Sequence, residues 1–318
     1  MELIVNLLLQ GLQMMLVLLV APALMGIVQK VRARLLMHQG APIWQPYADL
    51  WRLMRKEALV AHNASWLFRA APYLIFAAVW VAAALVPVFA TGLTFSWSAD
   101  ILAIVALLGT ARFAMALAGL DVGTSFGGLG SSREMMVASL AEPAMLMIVF
   151  TVALVAGTTQ LSNIAEFMGN EPVGLRVSLA LALVAMIIVS VAENARIPVD
   201  NPSTHLEVTM IHEAMILEYS GRHLALIEAA AATKLLLYIS LIICLFFPFG
   251  TATVDSPLGV QFLGVIFWLI KLVIGGALLA VGEILVSKMR LFRVADLLGG
   301  ALILSLLAMI FLFVSKGI

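Results

Sequence analysis

The sequence predicts an all-α, polytopic integral membrane protein with about eight transmembrane helices and an amphipathic interfacial helix. Three observations predict it. Of 318 residues, 63% are hydrophobic and 11% charged, whereas a soluble domain carries about 25% charged residues. Apolar runs of about 20 residues, enough to cross the hydrocarbon core, recur along the whole chain. The loops between those runs alternate between basic and plain. The zero net charge gives no electrostatic footprint for nucleic acid.

The spans fall at Leu3–Val28, Trp66–Val88, Ile101–Leu120, Met135–Ala156, Val173–Val191, Leu224–Phe247, Val260–Glu283 and Leu297–Val314. The chain reads as a single membrane domain over 1–318. The first span follows Met1-Glu2 without a basic leader or a small-residue cleavage site, so it reads as a retained helix. The loop over 30–65 is basic, with Lys30, Arg32, Arg34, Arg52, Arg55 and Lys56. Its stretch Ile43–Lys56 repeats apolar residues at helical spacing with charges interleaved. That pattern is an amphipathic helix along the membrane surface, as an interfacial anchor or as the wall of a chamber. The third, fifth and seventh loops carry Arg133, then Arg196 and Arg222, then Lys288, Arg290 and Arg293. The second, Ala90–Ala99, and the fourth, Gly157–Pro172, have no Lys or Arg; the sixth, Gly250–Gly259, has only Asp255. The positive-inside rule places the basic loops in the cytoplasm and both termini outside.

Ionisable residues interrupt the spans. Arg112 and Lys234 sit mid-span, Glu142 lies in the fourth span, and Asp121 and Glu193 end the third and fifth. An uncompensated charge at the bilayer centre costs at least about 2.5–3.5 kcal/mol. One such group could be structural, with Arg112 paired to Asp121 or Glu142. So many together point to a hydrated proton or ion path.

The loop over 192–223 concentrates this chemistry. Between Ala192 and Gly221 lie Glu193, Asp200, Glu207, Glu213 and Glu218, five of the chain's eighteen acids, with Arg196, His205 and His212. Carboxylates beside hydrocarbon are costly to keep charged, and groups of that kind can pass protons. Asp121–Arg133, DVGTSFGGLGSSR, is rich in Gly and Ser but lacks the Gly-Lys-Ser/Thr of a phosphate loop. It reads as a sharp turn capped at Ser131 or Ser132, or as a place of close approach to a partner subunit.

Other chemistries lack their residues. HEAMILE lacks the paired histidines of a zincin helix. The only cysteine, Cys244, allows no internal disulfide and no Cys-ligated cluster or Cys zinc site from this chain alone. No Ser nucleophile with its base is evident.

Three motifs resemble a known family. Gln45–Glu57, QPYADLWRLMRKE, is similar to a Q-P-x-A-D-x-x-K-x-x-x-K-E helix. GLDVGTSFGGLGSSREMMVASLAEPAM is similar to G-L-D-x-G-[ST]-x-F-x-x-x-G-x-S-R-E followed by Glu-Pro. Glu193 to Gly221 is similar to E-x-x-x-x-P-F-D…E…E-Y-S-G, with Val199 where Phe is common and Ser203, Thr204 and His205 where acids are common. The chain thus resembles the first membrane subunit of respiratory complex I and its relatives in energy-converting nickel–iron hydrogenases. Within these it looks most like the formate hydrogenlyase subunit 4 and hydrogenase-4 component C group. Lys234 stands where the hydrogenase branch also places a lysine.

The resemblance implies a non-catalytic subunit of an oxidoreductase complex in a bacterial or archaeal cytoplasmic membrane. It would hold no cofactor itself. Its partners would be hydrogenase-like small and large subunits, an iron–sulfur protein and antiporter-like membrane subunits. Iron–sulfur clusters, and in a hydrogenase a nickel–iron centre, would sit in those partners. The implied proton path runs through Glu142, Glu193, Glu207 and Glu218, with Glu213, Asp121, Lys234 and Arg112 as further members. Arg133, Glu134, Asp49, Arg196 and Asp200 are the expected partner interface. A quinone-chamber subunit of complex I and a purely structural anchor are the alternatives.

Overall fold

The computed structural model describes residues 2–170, 176–200, 210–254, 256–286 and 291–316. In chain order the helices are α1 (Glu2–Leu35), α2 (Gln45–Met54), α3 (Trp66–Leu85), α4 (Ile101–Asp121), α5 (Ser125–Ala156) and α6 (Leu161–Asn170). They continue as α7 (Val177–Glu193), α8 (His212–Ile216), α9 (Gly221–Phe246), α10 (Leu258–Leu285) and α11 (Leu291–Lys316). Two short strands, β1 (Ala90–Thr91) and β2 (Ala252–Thr253), pair in parallel between the second and sixth loops.

Among the described residues, α1, α3, α4, α5, α9, α10 and α11 are seven helices long and apolar enough to cross a membrane. The remaining apolar run is α7, a helix of 17 residues, or ~25 Å at 1.5 Å per residue. The protein is therefore an all-α, multi-pass membrane protein. The helix α9 is the central column, packed against α1, α2, α3 and α7. The helix α10 packs on α1, whereas α11 packs on α5 and α7. Both present long apolar faces outward, including Phe262, Phe267, Ile270 and Ile274 on α10 and Ile303, Ile310 and Phe313 on α11.

Local chemistry sets the ends. Ser65 and Asp100 cap α3 and α4 by accepting from the backbone N–H of Leu67 and Leu102. Gly157, with φ 73°, closes α5 in the left-handed conformation. The basic loop forms α2 as expected. It lies on α1 and α9 and turns Trp44 and Trp51 outward, with the Arg55 guanidinium 4.7 Å from the Trp51 ring centroid.

One boundary corrects the sequence reading. The fourth span does not wait for a cap at Ser131 or Ser132. It starts at Ser125, with Thr124 accepting from Gly127 N–H, so Gly127 and Gly130 lie inside the helix. A side chain on Gly127 would collide with the Gly119 carbonyl of α4, and one on Gly130 would crowd the Ile211 carbonyl and Met215 at 3.0 Å. The glycines let α4, α5 and α8 approach backbone to backbone. The loop after α5 also holds a helix that the sequence reading left out, α6.

Candidate functional site

A cluster of charges sits where α4, α5, α7 and α9 meet. Arg112 projects from α4. Its Nε lies 3.2 Å from Glu134 Oε1 and its Nη1 3.5 Å from Glu142 Oε1, both on α5. Its Nη2 is ion-paired with Glu193 Oε1 at the end of α7. The second oxygen of Glu193 lies 3.0 Å from Lys234 Nζ of α9. The Arg112 and Glu193 side chains are only 3% and 6% exposed, whereas Glu142 is 45% exposed. Glu193 is thus the enclosed centre of the network, and Glu142 is its edge on the outer surface of the chain.

The arrangement follows from the cost of burying charge. A lone arginine in the hydrocarbon region would be unstable, and opposed charges offset that cost when they meet at hydrogen-bond distance. Among the described residues, three carboxylates face two cations. The group carries one excess negative charge with every member ionised and is neutral with one proton bound. A cavity of about 80 Å³ lies against it, lined by Arg112, Glu134, Glu193, His212 and Lys234 among others.

A second cavity of about 210 Å³ opens beside it, lined by Arg196, Asp200, His212, Glu213, Glu228 and Glu283 among others. Here Glu283 of α10 is buried between two arginines. Its oxygens lie 3.6 Å from Arg32 Nη1 of α1 and 3.5 Å from Arg196 Nη1. Arg196 also donates to Met25 Sδ at 2.7 Å. Burial lowers the Arg196 pKa, and Glu283 opposes that shift.

The short helix α8 stands between the two groups. Asp200, only 3% exposed, accepts from the backbone N–H groups of Ile211 and His212 at 3.2 and 3.0 Å. Arg133 Nη1 donates to the Met210 carbonyl at 2.9 Å. Burial lowers the His212 pKa, with Glu134 acting in the opposite sense.

The Glu-Tyr-Ser-Gly segment has a structural part. The Tyr219 ring stacks on Phe68 at 4.0 Å, and its hydroxyl donates to the Phe68 carbonyl at 3.0 Å. Burial raises the Tyr219 pKa. Ser220 Oγ accepts from Leu59 N–H and donates to Leu59 carbonyl. Gly221, with φ 54°, lets α9 start against the Glu57 carbonyl, where a side chain would collide. Together they pin the segment after α2 to the head of α9.

The structure thus brings Arg112, Glu142, Glu193 and Lys234 together and adds Glu134, which the sequence reading placed at a partner interface. Glu213 lines the larger cavity. Glu218 is exposed, and Asp121 lies apart, accepting from Ser65 N–H at 2.8 Å. Glu207 lies outside the described residues. Of the other expected interface residues, Arg133, Arg196 and Asp200 make contacts within the chain, and Asp49 pairs with Arg52 on α2 at 2.7 Å. The sequence reading named His212 in the acidic loop and Glu283 at the end of the seventh span but singled out neither, nor Arg32, as a site residue. Glu283 had a usable signal, an acid at the end of a long apolar run. His212 had its place in the acidic loop, and Arg32 had none beyond its residue type. Among the described residues, no group of three or more His, Cys, Asp or Glu is placed to hold a metal ion.

Helices that cross a membrane around a buried network of acids and bases define a membrane protein with a polar interior. The chain belongs to the NADH dehydrogenase family, whose model matches residues 9–314. It is 30% identical to formate hydrogenlyase subunit 4 of Escherichia coli (strain K12) over 272 residues, 86% of this chain and 87% of that one. It is 32% identical to hydrogenase-4 component C of the same organism over 243 residues, 76% and 75% of the two chains. With a subunit of the NADH-quinone oxidoreductase of Rickettsia bellii (strain OSU 85-389), identity is 29% over 184 residues, 57% of this chain and 53% of that one. Its fold is shared with a chain of the membrane-bound sulfane sulfur reductase, an archaeal respiratory membrane complex. That match has a TM-score of 0.79 and 17% identity, and covers 96% of this chain and 99% of that one.

Proposed function

We propose that this chain is the membrane-anchor and proton-path subunit of a complex-I-like redox assembly of the membrane-bound nickel–iron hydrogenase or formate hydrogenlyase type. The observation that carries the proton path is the enclosed network of Glu193 with Arg112 and Lys234, flanked by Glu134 and Glu142. The hydrogenase type is supported by the two E. coli relatives, which match over three quarters or more of this chain, against 57% for the NADH-quinone oxidoreductase relative. The basic end, with α2 and the segment after α7, faces the cytoplasm and receives small and large hydrogenase-like subunits. Iron–sulfur clusters and a nickel–iron centre belong to those partners. Antiporter-like membrane subunits adjoin the membrane-embedded surface that Glu142 reaches.

The coupling is electrostatic. At an effective dielectric constant of 20, a unit charge 4 Å from a carboxylate is worth about 4 kcal/mol. That is about a thousandfold in proton affinity. A charge change at the basic end need supply only part of this to load or empty the network, because the network is neutral with one proton bound. Glu193 links Arg112 to Lys234 at the centre of the network, and Glu142 leads from it to the outer surface of the chain.

The test is isolation of the complex from native membranes in mild detergent on a tagged chain, with mass spectrometry and metal analysis. Nickel and iron together with a hydrogenase-like large subunit are expected. Iron without nickel contradicts the hydrogenase type.

The larger cavity favours one second reading, a quinone chamber between α1, α9 and the segment after α7. Inhibition of turnover by quinone-site blockers would support that reading.

A further inference from the structure

Among the described residues, the two cavities are lined by different ionisable groups with one exception. The smaller holds Arg112, Glu134, Glu193 and Lys234; the larger holds Arg32, Arg196, Asp200, Glu213, Glu228 and Glu283. Among the described residues, those that line both are Asn194, Ala195, His212, Ile227 and Ala231. Among these only His212 can take up and release a proton. Each cavity, at about 80 and 210 Å³, has room for water, which needs about 10–15 Å³ of such space. The shared wall is otherwise one amide and three apolar side chains.

We propose that His212 is the proton-transfer residue that joins the larger, peripheral cavity to the enclosed Arg112–Glu193 network. This rests on the proton-path reading and names the step at which that path crosses from one cavity to the other. A neutral imidazole has one nitrogen that accepts a proton and one that carries one. A proton arriving from water in the larger cavity binds the free nitrogen and makes the imidazolium. The proton on the opposite nitrogen then leaves to water in the smaller cavity. The ring is again neutral, as the other tautomer, and rotation of the ring resets it. One proton enters and one leaves, and no other group changes its charge.

The backbone holds His212 in place for this. Asp200 accepts from its N–H, and Gly130 brings α5 against the carbonyl of Ile211 and the side chains of Ala214 and Met215. The side chain is therefore not needed to anchor α8. The charges that face it are Glu134 of α5, Lys234 and Glu228 of α9, Arg112 of α4, Glu193 of α7, and Arg196 and Asp200 of the segment after α7. Burial lowers its pKa, which favours the neutral ring, the form that has one nitrogen free to accept.

The test uses membrane vesicles containing the intact complex, energised with reduced methyl viologen and followed with a pH-sensitive dye. His212→Gln and His212→Asn keep a polar group at one or the other ring-nitrogen position but carry no proton; whichever assembles with its partners is used. Proton uptake is expected to fall roughly a hundredfold, the low end of what a positioned proton carrier contributes. Imidazole added to His212→Ala is expected to restore it, with methylimidazoles restoring it in proportion to their basicity. Wild-type uptake in the amide variant, or loss in all variants without rescue, overturns the proposal. Glu193→Gln in the same vesicles separates the two levels. If it blocks uptake while His212→Gln does not, only the histidine step fails; if neither blocks uptake, the path itself fails.

Discussion

Arg112 is the residue on which the interior depends. Among the described residues three carboxylates lie within ion-pair distance of it, and removing the guanidinium leaves only Glu193 of the three paired, to Lys234. Breaking a buried ion pair by deleting one partner costs about 3–5 kcal/mol. Arg112→Gln is therefore expected to lower the melting temperature of the purified complex markedly, read by intrinsic fluorescence in detergent. An unchanged melt contradicts a network held by Arg112. His212 gives a pH dependence with a definite sign. Its folded pKa lies below the ordinary histidine value of about 6.5. The associated stability is complete above about pH 6.5 and is lost as the pH falls toward and through the folded value. Acidification should lower the melting temperature less in His212→Gln than in wild type. The sequence displayed Arg112 plainly, as an arginine inside an apolar run, and offered Asp121 and Glu142 as its partners. The structure selects Glu142 and adds Glu134 and Glu193. Sequence spacing cannot show which helix stands beside which, so Glu134 of α5 and Glu193 of α7 were legible only as acids near a membrane edge.

At the scale of helices, the close packing of α4, α5 and α8 depends on absent side chains. Gly130→Val would push branched carbons against the Ile211 carbonyl and Met215. Overpacking of this kind costs about 1–3 kcal/mol, and it would displace α8 with His212. Reduced assembly and increased proteolysis near residues 210–216 are expected; normal assembly with wild-type proteolysis contradicts the packing role. Glu283→Ala leaves Arg32 and Arg196 opposed without their shared acid. The segment after α7 should then loosen from α10, seen as faster hydrogen exchange over 194–200. The apolar runs were legible because a bilayer demands about 20 apolar residues, and each one folds as a helix. The start of α5 was not. Glycine and serine favour turns locally, and only the approach of α4 and α8 makes a glycine-rich face useful inside a helix. The helix α6 escaped notice because a short helix at a membrane edge needs no long apolar run.

For the whole molecule, the alternation of basic and plain loops predicts an orientation. With the basic end in the cytoplasm, a cysteine introduced at Met37, which is 94% exposed, should react with a membrane-impermeant maleimide only after the membrane is opened. Labelling of intact cells contradicts that orientation. The central claim is that the enclosed acids carry protons for a redox assembly. It is tested most directly by proton uptake in vesicles holding the complex with Glu193→Gln, alongside its content of partner subunits. Glu193 is the member whose two oxygens meet both cations, and glutamine keeps its size while removing its capacity to bind a proton. The account predicts a complex that assembles and no longer takes up protons. An assembled complex that takes them up at the wild-type rate contradicts it and leaves the charge network as internal scaffolding.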